Sequence, residues 1–159
     1  MTLLNNESNL YIPMKSINLC RVSSKEQEET GYSLPAQEKL LNAYAEKHGF
    51  TVTKNFSISE SASGRKQREI FNDMMAYVNK EGIKLIIIEK VDRLTRNFKD
   101  AVMVDEWLEA DEERQVHFVK DGLVLHRNRY YYGANDTWYS KMDSDSALLL
   151  RTQLSGLIG

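Results

Sequence analysis

One run of apolar residues constrains the fold of this chain more than any other segment. Residues 83 to 88 are the most apolar stretch, and Leu85, Ile86, Ile87 and Ile88 follow one another without a polar residue between them. A strand with water on one face alternates apolar and polar side chains, whereas an uninterrupted apolar strand is covered on both faces. The run therefore predicts the central strand of a parallel sheet with helices on both sides.

Strands and helices alternate along much of the remaining sequence. Alternating apolar residues predict strands at 16–22 and 50–57, and a short apolar run predicts another at 116–119. Apolar residues at helical spacing predict helices at about 34–48, 67–80 and 98–112. This order predicts an α/β fold, with a mainly parallel central sheet of about four to five strands flanked by helices and joined by right-handed crossovers.

The length and composition fit a single globular domain. The chain has 159 residues, of which 42% are hydrophobic and 28% charged, close to the averages for folded domains. Its single cysteine, Cys20, excludes an intrachain disulfide, and no apolar run approaches the roughly 20 residues that a membrane span needs. We therefore expect a cytoplasmic protein without a membrane partner.

The charge balance argues against tight DNA binding by this chain alone. There are 21 Lys and Arg against 23 Asp and Glu, a net charge of −2, whereas proteins that bind duplex DNA on their own are usually basic. Positive charge is nevertheless concentrated in residues 84–99, which contain five cations against Glu89 and Asp92. The five are Lys84, Lys90, Arg93, Arg96 and Lys99.

Polar residues follow three of the predicted strands. Ser23 follows the first strand, Glu60 the second and Arg93 the apolar run. Ligands of open parallel sheets bind beyond the carboxyl ends of the strands, so the three loops are expected to converge on one edge. A hydroxyl nucleophile among arginines suits phosphodiester chemistry, because guanidinium groups bind phosphate.

Each motif has a simpler interpretation when taken alone. An isolated Arg-x-Ser segment most often forms a turn, and Asp92-Arg93-x-x-Arg96 most often begins a solvated helix with an ion pair. Their joint occurrence, at the ends of neighbouring predicted strands, favours a shared site.

Several motifs together resemble the serine recombinases, over roughly residues 16–126. They are Arg21-Val22-Ser23-Ser24 with Gln27, Tyr32-Ser33-Leu34-Pro35-Ala36-Gln37, Glu60-Ser61-Ala62-Ser63-Gly64, and Lys90-Val91-Asp92-Arg93-Leu94-Thr95-Arg96. The resemblance is to the resolvase-like catalytic domain. The sequence Gly31-Tyr32-Ser33 is most similar to that of the large serine recombinase and transposase branch. It implies site-specific DNA recombination without a cofactor.

The resemblance also implies roles for individual residues. Ser23 matches the nucleophile that becomes linked to a 5′ phosphate of DNA, and the resemblance implies no catalytic metal. The other implied catalytic positions are Arg21, Arg68, Arg93, Arg96, Gln27, Gln37, Glu60 and Asp92. We expect Lys90, Ser63 and Lys99 to contact DNA. The three histidines lie outside the motifs, so no general base is assigned.

The resemblance implies a division of the sequence into four segments. Residues 1–14 are expected to be an extension, 15–126 the catalytic domain, 127–143 an atypical aromatic-rich connection, and 144–159 the start of an association helix, with the DNA-binding domain absent. A hairpin or a contact with the core is favoured for 127–143 over stacking on nucleic acid. The resemblance implies DNA as a partner and a dimer to tetramer in the full-length protein, so we expect weak, salt-sensitive DNA binding and little recombination by this chain alone.

Two other functions stay open at the level of sequence. The chain could be a catalytically silent, DNA-associated assembly module, which its acidic balance allows. It could also be a small phosphoester or nucleotide-binding α/β domain. That alternative has less support, because neither Gly-x-Gly-x-x-Gly nor Gly-x-x-x-x-Gly-Lys-Ser/Thr occurs in the chain.

Overall fold

The structure is a computed structural model that describes residues 12–23, 33–94, 98–127, 129–132 and 137–140. At Asp92, Phe98 and the last two ranges, the description covers the backbone alone. The strands are β1 (Lys15–Val22), β2 (Thr51–Ser59), β3 (Leu85–Ile88), β4 (Gln115–Phe118), β5 (Leu123–Leu125), β6 (Arg129–Tyr132) and β7 (Thr137–Ser140). The helices are α1 (Leu34–Lys47), α2 (Gly64–Lys80) and α3 (Phe98–Glu109), and a 3-10 turn spans Val91–Arg93.

These strands form one sheet in the order β2-β1-β3-β4-β5-β6-β7. The first four strands in this order are parallel, and β5, β6 and β7 are antiparallel to their neighbours. The predicted α/β fold, with a mainly parallel sheet flanked by helices, is confirmed in β2-β1-β3-β4-β5. The sheet then extends further than predicted, because the hairpin β6–β7, which falls in the segment 127–143, adds to the open edge of β5.

Caps define where the helices begin. The Ser33 hydroxyl accepts a hydrogen bond from the Ala36 amide at 3.2 Å, and α1 begins at the next residue. The Ser63 hydroxyl does the same for the Lys66 amide at 3.2 Å, so α2 begins at Gly64, three residues before the predicted 67. After α2, Gly82 adopts a φ of 63°, which glycine tolerates better than other residues.

Both faces of the sheet are covered. Leu41 and Ala45 of α1 pack with Leu85 and Ile87 on one face. Phe71 and Met74 of α2 and Trp107 of α3 belong to the larger cluster on the opposite face. All four side chains of β3 are buried, as its uninterrupted apolar sequence predicts. None of the helices in the described ranges is long and apolar enough to cross a membrane.

Candidate active site at the carboxyl edge of the parallel strands

The parallel strands end side by side, at Val22, Ser59, Ile88 and Phe118. The loops continue the pairing for one more residue: the Glu60 amide donates to the Val22 carbonyl at 3.0 Å, and Val119 to that of Ile88 at 2.9 Å. The residues that follow β1, β2 and β3 therefore meet at one edge, as the sequence predicts. Ser23, directly after β1, is partly exposed at this edge.

Arg21 is held by the side chain of Gln37 in α1. Its backbone N–H donates to Gln37 Oε1 at 2.7 Å, and Gln37 Nε2 donates to the Arg21 carbonyl at 3.1 Å. Gln37 is fully buried, and Arg21 is only 2% exposed. This two-way contact fixes the end of β1 two residues before Ser23. By strand alternation, Arg21 lies on the same face as Ile17 and Leu19, which pack against the cluster that includes α2 and α3.

Arg68 lies on that same side of the sheet, in the second turn of α2. Its Nη1 donates to Asp100 Oδ1 at 2.8 Å. The Asp100 side chain is 4% exposed, whereas that of Arg68 is 35% exposed. A buried carboxylate in the first turn of α3 thus orients a guanidinium that still reaches water.

Arg93 closes the 3-10 turn after β3. Its Nε lies 3.9 Å from Glu89 Oε1, and both residues are buried. Val91 and Leu94, on either side of Arg93, pack in the same cluster as Phe71 of α2. Arg21, Arg68 and Arg93 therefore all come from segments on one side of the sheet.

The other predicted polar residues lie in the loop after β2 and in the segment that follows β3. Glu60 is partly buried, and its carbonyl accepts from Gln67 Nε2 at 3.4 Å. Ser63 is exposed and caps α2, while Lys99 is exposed at the start of α3. Lys90 is partly buried before the 3-10 turn. Gln27, Arg96 and the side chain of Asp92 fall outside the described residues.

Lys84 does not belong to the positive cluster that the charge count suggests. It precedes β3, at the opposite edge of the sheet, and its ammonium contacts Asp111 and, at 3.6 Å, Glu113. Sequence reasoning also missed Asp100 beside Arg68 and Glu89 beside Arg93. It missed as well Lys120, which lies near Glu89, and Asp121, which accepts from the Val91 amide. Glu89 could have been found, because it directly follows the central strand and so had to lie at the site edge.

Two buried groups nearby are not suited to acid, base or nucleophile roles. Burial, with smaller effects of the Glu38 and Glu89 charges, raises the pKa of Cys20 to about 12. Burial, with the nearby His48 and His126, lowers the pKa of His117 to about 4. Both ring nitrogens of His117 are engaged, Nδ1 with Tyr44 at 2.7 Å and Nε2 with Gln115 at 2.8 Å.

No group of three or more His, Cys, Asp or Glu side chains within the described part of the chain could hold a metal ion.

Comparisons with known proteins bear on the family and the fold of this chain. The family model "Resolvase, N terminal domain" matches residues 16–135. The N-terminal catalytic domain of TP901-1 integrase is 19% identical, with a TM-score of 0.56 over 90% of this chain and 93% of that chain. A resolvase family site-specific recombinase from Streptococcus pneumoniae is 24% identical, with a TM-score of 0.57 over 91% and 90%.

The two solved structures share the fold of this chain. No curated protein matches its sequence. The family model covers most of the chain, including every strand of the parallel core and the segments that carry Arg21, Ser23, Arg68 and Arg93. The chain therefore belongs to the resolvase family of serine recombinases, whose N-terminal domain it matches.

Proposed function

We propose that this protein cleaves and rejoins DNA at specific sites through a covalent link between Ser23 and a 5′ phosphate. Site-specific recombination in general follows from membership of the family. The observation that best supports the finer proposal is the position of Ser23, partly exposed directly after β1, on the strand that carries the buried Arg21. Arg68 and Arg93 come from the same side of the sheet.

The proposed reaction is a reversible phosphoryl transfer. Ser23 Oγ loses its proton and attacks the phosphorus, forming a P–O bond to serine while the bond from phosphorus to the 3′ oxygen breaks. The departing 3′ oxygen takes up a proton and becomes a free hydroxyl. In the reverse direction, a 3′ hydroxyl attacks the phosphoserine and releases Ser23. Since one phosphodiester replaces another, religation needs no ATP.

Arginines supply the electrostatic stabilisation in this proposal. The phosphoryl transition state carries negative charge, and guanidinium donors fixed in advance stabilise it most effectively. The 2.8 Å hydrogen bond of Arg68 to Asp100 supports such fixed orientation. Arg93 Nε lies 3.9 Å from Glu89 Oε1, which is an ion-pair distance rather than a hydrogen bond. The same positive surroundings favour the serine alkoxide, so we propose that they lower the pKa of the Ser23 hydroxyl.

DNA is the partner that this chemistry requires, and we propose that a homo-oligomer acts on it. Arg68 and Arg93 each lie beside a carboxylate, and the whole chain has a net charge of −2. Binding by this chain should therefore be weak and fall steeply with salt. We propose Lys90, Ser63 and Lys99 as contacts to the DNA backbone.

Trapping of a covalent adduct tests the proposal. The full-length gene product is incubated with supercoiled plasmids carrying fragments of its source genome, quenched with denaturant, and examined for protein attached to DNA. We expect an adduct that is absent in Ser23→Ala and retained in Ser24→Ala, the matched control at the neighbouring hydroxyl. An adduct that survives in Ser23→Ala would overturn the proposed role of Ser23, and its absence in the wild type would favour the silent assembly module.

A further inference from the structure

Glu89 is an acidic residue at the end of an apolar strand. The four residues of β3 before it are apolar and buried, and Glu89 itself is only 1% exposed. Removing a carboxylate from water is unfavourable. Proteins in which apolar residues of similar volume replace a buried ion pair are often as stable as the original or more stable. The packing of the sheet therefore gives no reason for a carboxylate here, and the reason must lie in its contacts.

Two cations lie near the same oxygen of Glu89. Arg93 Nε is 3.9 Å and Lys120 Nζ 3.8 Å from Oε1. The Lys120 side chain is 52% exposed and remains hydrated, whereas that of Arg93 is 6% exposed. Glu89 therefore has its larger effect on Arg93, whose position depends on protein contacts rather than on water.

The backbone around Glu89 is hydrogen-bonded to the turn that follows the neighbouring strand, β4. The Lys120 amide donates to the Glu89 carbonyl at 2.8 Å, and the Val91 amide donates to Asp121 Oδ2 at 2.7 Å. The Arg93 amide in turn donates to the Lys90 carbonyl at 2.9 Å, within the 3-10 turn. The carboxylate and the guanidinium are thus attached to one short, hydrogen-bonded segment.

We propose that Glu89 is a positioning residue that acts on DNA cleavage through Arg93. The inference rests on the proposed function, in which Arg93 stabilises the phosphoryl transition state. A carboxylate at Nε is compatible with end-on binding of phosphate by the two terminal guanidinium nitrogens, which is a bidentate geometry. In this proposal Glu89 favours that orientation through its charge, from 3.9 Å and without a hydrogen bond to Nε, and acts on the phosphate only through Arg93.

The test measures adduct formation and DNA binding separately. In Glu89→Gln, which keeps the size of the side chain, we expect the rate of adduct formation to fall about tenfold or more, in the range seen for misplaced catalytic donors. DNA affinity should stay the same or rise, because a negative charge has been removed. A loss of structure would lower both, so this split separates positioning from folding.

Lys120→Gln is the matched control, because it removes the other cation near the same oxygen. Its adduct rate should stay within about threefold of wild type, given that Lys120 is mostly hydrated. Should Glu89→Gln fail to fold, Glu89→Asp keeps the charge but moves the carboxylate away, and a slower rate is again expected. A wild-type rate in a folded Glu89→Gln or Glu89→Asp protein would overturn the proposal.

A double-mutant cycle identifies Arg93 as the intermediary. In an Arg93→Lys background, which lacks the planar guanidinium, Glu89→Gln should produce little further loss. An equal loss in both backgrounds would mean that Glu89 acts independently of Arg93, contrary to the inference. Failure of the wild type to form an adduct overturns the proposed function as well, whereas a wild-type adduct that requires Ser23 and is unaffected by Glu89→Gln overturns this inference alone.

Discussion

Arg68 Nη1 donates a 2.8 Å hydrogen bond to Asp100 Oδ1, joining α2 to α3 beside the carboxyl edge of the sheet. Arg68 is partly exposed and Asp100 is buried. The pair therefore holds a guanidinium toward the edge while keeping its charge accessible to solvent and ligand.

Asp100→Asn tests the importance of that orientation. The variant keeps an acceptor oxygen but loses the charge, so the hydrogen bond weakens and Arg68 gains freedom. We expect adduct formation to slow by about tenfold, while the free energy of unfolding falls by only about 1 kcal/mol. Single-turnover cleavage assays and chemical denaturation measure the two effects. Asp105→Asn, at an exposed position of the same helix, should change neither; equal losses in both variants would contradict the expectation.

Gln37→Ala should destabilise the end of β1. The substitution removes both partners of the Arg21 backbone in the interior, and each unsatisfied buried group costs about 1–3 kcal/mol. We expect an unfolding free energy lower by at least about 2 kcal/mol, together with slower cleavage because Ser23 lies two residues away. Denaturation of Lys39→Ala, on the exposed face of α1, provides the baseline. A Gln37→Ala protein as stable as this control would show that Gln37 does not stabilise the end of β1.

Acid should destabilise the fold through His117. Burial lowers the pKa of His117 to about 4, from 6.5 in an exposed chain, so the unfolded state binds the proton more tightly. The stability that this difference provides is fully present above pH 6.5 and is lost as the pH falls toward 4, with a limit of about 3 kcal/mol.

His117→Gln should flatten the dependence of unfolding free energy on pH between these values. Lys39→Gln, at an exposed position of α1, should retain the wild-type slope, because Lys39 is not among the groups that lower the pKa of His117. Urea denaturation at several pH values makes the comparison. Parallel curves for His117→Gln and wild type would exclude His117 as the source of the slope.

Sequence periodicity predicted the parallel core because covering both faces of β3 demands an apolar run. It also brought Ser23, Glu60 and Arg93 to one edge, since strand ends follow from strand direction alone. Contacts between distant segments were not predictable in the same way. The pairing of Arg68 with Asp100 depends on how α2 and α3 pack, and nothing in a local pattern encodes it.

Charge counting failed at Lys84 for a geometric reason. Lys84 precedes the four residues of β3 and Glu89 follows them. Since a strand rises about 3.3 Å per residue, the two residues lie at opposite ends of the strand and therefore at opposite edges of the sheet. The hairpin β6–β7 was favoured for part of 127–143, but its addition to the sheet depends on the edge that β5 leaves open.

The position of the nucleophile is the central claim, and mass spectrometry of the quenched adduct tests it most directly. After nuclease and trypsin digestion, cleavage at Arg21 and Lys25 yields a peptide of residues 22–25 that contains both Ser23 and Ser24. We predict a 5′-linked nucleotide on Ser23, localised by fragmentation, and a free 3′ hydroxyl on the cut DNA. A nucleotide on Ser24 or elsewhere in the chain, or a 3′-linked phosphate, would contradict it.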